Sequence, residues 1–357
     1  MSEVATGLAV GNTARPELAA EAVQQAMQKL GDRFPNSVLL FLTEEFAADP
    51  QPAIRAAAAA SSCLQVMGCS APGIFTEQDW VLDTPAAAAM VFSGDVTLLP
   101  KPEGPELRMA LTAPNALNTV WLQSPALRFG GVSGDATGQG PFSVWQHAKG
   151  TPVGHCEAAF RGVNAAVLVS HGLRILTSIQ TIDAASDYDL LQLNAQAALP
   201  MFHLSFPDTA PSSHLLMAMV ADSEARLLAG DFQLAGIVSE NAAQQSLTLT
   251  KPLRAGQVVC WGVRAADAAE AELQGLIANQ LAAWGRQPAF GLFFSCLGRG
   301  PYLYNGMDRD LDALRLRCPG MPLIGFYGNG AVNCSNTRPY SACLPRISHG
   351  LIQSLPR

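Results

Sequence analysis

Residues 68–75 read GCSAPGIF, and residues 325–332 read GFYGNGAV. Each stretch carries Gly-x-x-x-x-Gly directly after an apolar run, so that Gly68 and Gly73 in the first copy correspond to Gly325 and Gly330 in the second. Glycine permits backbone conformations closed to other residues, and successive N–H groups in such a corner can converge on an anion. A phosphate-binding loop would continue with Lys and Ser or Thr. Here Ile74-Phe75 and Ala331-Val332 follow instead, which argues against nucleotide hydrolysis. Two readings stay open: tight turns at strand ends, or halves of one binding cleft.

The surroundings of the two stretches repeat as well. SVLLFL at 37–42 reads as a buried strand, the alanine-rich segment 52–62 as a helix, and LQVMG at 64–68 as a second strand leading into the first corner. Near the other end, FGLFFSC at 290–296 reads as a strand and DRDLDALRLRC at 308–318 as a helix, acidic in its first turn and basic in its last. PLIGFYGNG at 322–330 is then the strand that opens into the second corner. Strand, helix, strand predicts a parallel pair with a crossover. A further helix is expected over 18–30, ended by Gly31. AAAAMVFSGDVTLLP at 86–100 reads as a hairpin about Ser93-Gly94-Asp95, with a similar segment at 165–179 and a third glycine corner, FGGVSGD, at 129–135. The pattern predicts an α/β protein of two related, pseudo-duplicated halves with mixed sheets and a ligand cleft between them. The boundary is expected within the proline-containing stretch Asn194 to Pro211.

Composition narrows the function. The chain has 357 residues, 49% hydrophobic and only 14% charged, with a formal net charge of -7. So thinly charged a surface points to cover by a partner or a second copy. Lysine occurs only at positions 29, 101, 149 and 251, with no basic cluster interleaved with aromatics, so nucleic acid is not an expected partner. The N-terminus lacks a signal-peptide pattern and no apolar run is long enough to span a bilayer, which predicts a cytoplasmic protein. Eight scattered cysteines without Cys-x-x-Cys, and six histidines without ligand spacing, predict neither a metal nor a cofactor.

Among single residues, Arg299 stands between two glycines after a buried strand and can clamp a carboxylate through two N–H donors, unless Asp308 or Asp310 already occupies it. Cys296 and Cys69 lie beside the corners. A nucleophilic cysteine needs a base or a positive field, for which Arg299 and His171 are the available groups. Ser70 and Ser133 lie near glycines, but neither completes Gly-x-Ser-x-Gly.

In this order the motifs resemble the FIST family, named for F-box and intracellular signal transduction proteins. GCSAPG, VFSGDVTLL and FGGVSGD are similar to its N-terminal part, and FFSCLGRG with GFYGNG to its C-terminal part. The resemblance runs from about residue 32 to residue 335 and implies an N-terminal FIST-like domain over 1–195 and a C-terminal one over 196–357. It implies a non-catalytic sensory protein that binds a small ligand, an amino acid or a small carboxylate. Gly68, Cys69, Ser70, Gly73, Cys296, Arg299, Gly325, Tyr327, Asn329 and Gly330 are then the expected lining. Ile74 and Ala331 stand where the family usually has acidic residues, which removes partners for a ligand amine. The halves take up nearly the whole chain, so output is expected to pass through a separate signalling protein, and a homo-oligomer is compatible. A Cys296-dependent transferase and a ligand-free interaction scaffold are the rival readings.

Overall fold

A computed structural model describes residues 3–100, 104, 107–117, 121, 126–134, 140–206 and 216–334. The chain forms two compact units, residues 1–170 with 273–357, and residues 171–272. The expected boundary at 195/196 falls inside the second unit, at a tight turn where Asn194 and Ala195 take positive φ.

The first unit opens with β1 (Val4–Val10), α1 (Glu17–Leu30), β2 (Pro35–Thr43), α2 (Gln51–Ser61), β3 (Val66–Ala71) and β4 (Gly73–Thr76). It continues through β5 (Trp80–Leu82), β6 (Ala86–Ser93), β7 (Thr97–Leu99), β8 (Arg108–Thr112), β9 (Arg128–Val132), β10 (Val144–Gln146), β11 (Lys149–Gly150) and β12 (His155–Arg161). The second unit holds β13 (Leu173–Ile175), β14 (Gln180–Ser186), β15 (Asp189–Leu193), β16 (Gln196–Ala197), α3 (Ala198–Leu204), β17 (Leu216–Ala221), α4 (Glu224–Leu228), β18 (Gln233–Asn241), β19 (Ser246–Leu249) and β20 (Val258–Arg264). Helix α5 (Ala266–Trp284) carries the chain back to the first unit, which ends with β21 (Gly291–Cys296), α6 (Gly300–Leu303), α7 (Arg309–Arg317), β22 (Leu323–Gly328) and β23 (Gly330–Cys334).

Among the described residues, three mixed sheets build the first unit, in the orders β1-β6-β2-β3-β10-β11, β23-β9-β8-β12-β7 and β21-β22-β4-β5. The first is buried on both faces, which is why β2 reads as a continuous apolar run. Val38, Leu40 and Leu42 point to α1 and α2, with Leu18, Val23, Ile54 and Ala57 against them. The alternate residues Leu39 and Phe41 face the second core, with Phe129, Phe294 and Phe326. Phe326 lies 5.0 Å from Phe41 and 5.3 Å from Phe294, edge to face in both cases. Each such pair contributes about 0.5–1.5 kcal/mol beyond simple burial.

Both strand–helix–strand readings hold: β2 and β3 are parallel around α2, and β21 and β22 are parallel around α6 and α7. Both belong to the first unit, so the two motif sets share one body. The hairpin reading at 86–100 fails. Strand β6 pairs with β1 and β2, and β7 pairs with β12, so Gly94 at φ 64° hands the chain from one sheet to another. Nor does 165–179 form a hairpin, since only Leu173–Ile175 within it is a strand.

The second unit is an antiparallel barrel that the sequence did not announce. Its strands close in the order β20-β14-β15-β19-β18-β17 and back to β20. Ile182, Leu190, Leu247 and Trp261 fill it, and Phe202 of α3 meets Trp261 at 4.7 Å. Glu272, in the second turn of α5, accepts N–H bonds from His171 (2.9 Å) and Gly172 (2.7 Å).

Candidate functional site

Each glycine corner is the second strand of a parallel pair. Among the described residues the parallel pairs are β2–β3, β8–β9 and β21–β22, and they carry Gly68, Gly130 and Gly325 respectively. A Cβ at Gly68 would lie 1.7 Å from the Leu40 carbonyl oxygen, at Gly130 1.8 Å from that of Ala110, and at Gly325 1.8 Å from that of Phe293. The same close approach of backbones recurs three times, and only glycine allows it. The glycines at 68, 73 and 325 therefore serve contact rather than positive φ. Their strands are paired on both sides, Gly68 with Leu40 and Trp145, Gly325 with Phe293 and Phe75, so these backbone positions belong to sheets rather than to an open loop.

The carboxyl ends of these second strands converge. After β3 the chain kinks at Pro72 into β4, which joins the sheet of β22, and after β22 it kinks at Asn329 into β23, which pairs with β9. The Ser133 hydroxyl, just past β9, donates to the Ser70 carbonyl at the end of β3. The Asn329 N–H, just past β22, donates to the Val132 carbonyl at 2.9 Å. Ser70 Oγ accepts from the Ser143 N–H at 3.1 Å, and the Ser143 hydroxyl donates to the Ala47 carbonyl at 2.7 Å. The end of β21 adds the half-buried Cys296 and the exposed Gly298, and Leu297 N–H donates to the Gly328 carbonyl at 2.8 Å. Asn329 is half-buried here, whereas Ser70 and Ser133 are closed off from water.

A buried polar network underlies this convergence. Arg299 is wholly buried, with Nε 2.6 Å from Asp310 Oδ2 and Nη2 3.1 Å from Asp310 Oδ1, and its Nη1 donates to Ser170 Oγ at 2.9 Å. The Tyr304 hydroxyl donates to Asp310 Oδ1 at 2.6 Å. Asp308 caps α7 by accepting the Leu311 N–H at 2.9 Å and receives the Tyr327 hydroxyl on its other oxygen. Burial is the main force pushing the Asp308 carboxyl up to about 6. Burial and the adjacent carboxylates push the Tyr304 and Tyr327 hydroxyls well up, so both stay donors.

The expected lining thus divides. Asn329 and Cys296 stand at the half-open rim; Ser70, Gly73 and Gly330 lie at the strand junctions beneath it. Gly68, Cys69, Gly325 and Tyr327 are buried inside the strands. The side chain offered as a carboxylate clamp, Arg299, is held by Asp310, the internal pairing foreseen as its other role. Burial pushes the Cys69 thiol well up, which keeps it protonated. His171 belongs to the second unit, its ring 4.7 Å from Phe232. Ser170, Tyr304 and Ser143 escaped sequence reasoning, having no motif around them. The side chains at 331–334, including Ala331, and the residues Asp135 and Cys343 lie outside what the structure describes. Among the described residues no group of His, Cys, Asp or Glu is placed to hold a metal, and no helix is long and apolar enough to cross a membrane.

Residues 192–332 match the family model described as the FIST C domain. Over these residues the chain is similar to a FIST C domain. That domain takes in most of the barrel and the β21-to-β23 region, including the Arg299–Asp310 network. It associates the chain with a sensory, signal-transduction family. An uncharacterized protein of Mycobacterium tuberculosis is 22% identical over 365 residues, covering 91% of this chain and 94% of its own. An uncharacterized protein of Mycobacterium bovis is 25% identical over 178 residues, 48% of this chain and 46% of its own. F-box only protein 22 of Homo sapiens is 37% identical over 67 residues, 18% of this chain and 16% of its own.

Proposed function

We propose that this FIST C domain protein is a non-catalytic sensor of the cytoplasm, binding an amino acid or small carboxylate where the carboxyl ends of β3, β9 and β22 converge. The observation that carries the reading is that convergence. Ligands of open α/β sheets bind outside the carboxyl ends of parallel strands, where backbone groups run out of ladder partners. Here the ends of three parallel pairs are tied together by Ser133 and Asn329, with a half-open rim at Cys296, Gly298 and Asn329. Because Asp310 engages Arg299, the arginine acts as a rigid floor, and Asn329 with the rim backbone makes the direct contacts. Cys63, Cys69, Cys156, Cys260, Cys296 and Cys318 are free thiols, in keeping with a reducing compartment. Output passes to a separate signalling protein.

A thermal-shift screen of the purified protein against amino acids and small carboxylates tests this. At about 100 times its dissociation constant a ligand adds roughly 2.7 kcal/mol of stability, a shift of a few degrees. The expected result is a shift that is lost in Asn329→Ala. A flat screen, or a shift indifferent to Asn329→Ala, would reject the site and favour an interaction scaffold.

A further inference from the structure

A groove of about 720 Å³ lies between α2 and the β10–β11 hairpin. Arg55, His147 and Lys149 line it, and no carboxylate does. That composition is unusual for this chain, which has 29 acidic against 22 basic residues and only four lysines. Arg55 and Lys149 are exposed, and neither side chain is hydrogen-bonded or ion-paired to another described residue. Between the charges the surface is apolar: Ala59 and Leu64 are both exposed, Leu64 at 75%, and the buried Cys63 lies beside them.

The walls are built rather than incidental. Gln51 of α2 donates from Nε2 to the Ala148 carbonyl at 2.9 Å. Ala148 N–H donates to the Val66 carbonyl at 3.1 Å, and His147 Nδ1 lies 3.1 Å from Gln65 Oε1. These bonds pin the hairpin turn to the helix and to β3. The turn itself is a two-residue connection with His147 at φ 55° and Ala148 at φ 56°. Both are left-handed positions that Asn-Gly fills with the least strain. Histidine tolerates that conformation better than most residues, and its bond to Gln65 fixes the ring beside the groove.

We infer that this groove is a second binding site, for a small organic anion whose charged end meets Arg55 and Lys149 and whose apolar body covers Ala59 and Leu64. Its volume matches a small-molecule pocket. Three basic groups around an apolar floor suit one phosphate or carboxylate on a hydrophobic stem. A nucleic acid would need a longer basic track with aromatic platforms. The site is separate from the strand-end convergence, although its hairpin wall is bonded to β3.

Isothermal titration calorimetry of the full chain with phenyl phosphate, benzoate, inorganic phosphate and benzylamine is the test. Two exposed-site variants accompany it: Arg55→Gln with Lys149→Gln, which removes charge, and Ala59→Trp, which fills the groove and leaves charge unchanged. We expect phenyl phosphate or benzoate to bind more tightly than inorganic phosphate, and benzylamine not to bind. Each variant should weaken the aromatic anion by about ten-fold or more. No binding of either aromatic anion to the natural chain overturns the proposal. So does binding that survives Ala59→Trp, which would reduce it to general charge attraction.

Discussion

Asp308 holds one end of α7 and takes the Tyr327 hydroxyl while almost fully removed from water. Its pKa, raised to about 6 chiefly by burial, means that the folded chain binds a proton there more readily than the unfolded chain does. Its contribution to stability is therefore complete below about pH 4 and is lost as pH rises through about 6, an effect on the order of 2–3 kcal/mol. Asparagine keeps the cap through Oδ1 and sets its NH2 against the Tyr327 hydroxyl, which then accepts, without a charge to bury. Asp308→Asn is expected to flatten that part of the stability–pH curve and to match or exceed the natural chain at pH 8, as read by urea unfolding across pH 4–8. Arg299 behaves differently, because its partner is a charge. Arg299→Ala strands the Asp310 carboxylate in the interior and should cost about 3–5 kcal/mol. Combining Asp310→Leu with Arg299→Met should recover much of that loss, because the double variant buries no lone charge. If Arg299→Ala unfolds at the natural urea midpoint, the ion pair is not a structural support.

At the scale of elements, the fold depends on strands that approach more closely than side chains permit. Gly68→Ala and Gly325→Ala would each set a methyl group into the facing strand's carbonyl, at 1.7 and 1.8 Å. Each should destabilise by about 3 kcal/mol or more, the upper range for overpacking. Gly275, inside α5 with nothing within 4 Å, is the control, and Gly275→Ala should be neutral or stabilising by about 0.5–1 kcal/mol. Equal effects at the three sites would refute the close-approach account. The paired losses also bear on function, because β3 and β22 deliver Ser70 and Asn329 to the convergence. The hairpin β10–β11 is the opposite case. Replacing His147-Ala148 by Asn-Gly should stabilise the turn while weakening anion binding in the α2 groove, since it relieves strain and removes a basic group together.

For the whole molecule, a formal charge of -7 opposes the approach of anions, while the α2 groove presents a local excess of cations. Contacts within a Debye length of about 10 Å at 0.1 M salt outweigh a diffuse field of opposite sign. Phenyl phosphate affinity should therefore fall as sodium chloride rises, and a rise with salt would mean that the net charge dominates. Much of the architecture was legible beforehand: α1, α2 and α7, the two strand–helix–strand units, Gly68 and Gly325 as special positions, and the glycine corner at 129–135. Those features follow from local rules, namely apolar periodicity, Gly31 past a helix end, and acidic and basic helix termini. Strand partners do not. Ser93-Gly94-Asp95 has the composition of a hairpin, yet the chain there leaves one sheet for another, because β6 finds better partners in β1 and β2. The barrel stayed hidden for the same reason. Its strands are short and their burial patterns differ, alternating in β14 but not in β18 or β20, and their closure is a choice among distant segments. Arg299 shows the division within one residue. Local sequence marked it as special, between two glycines after a buried strand. Whether Asp310 or a ligand would hold it depended on how deeply α7 packs, and at zero exposure the internal carboxylate satisfies it.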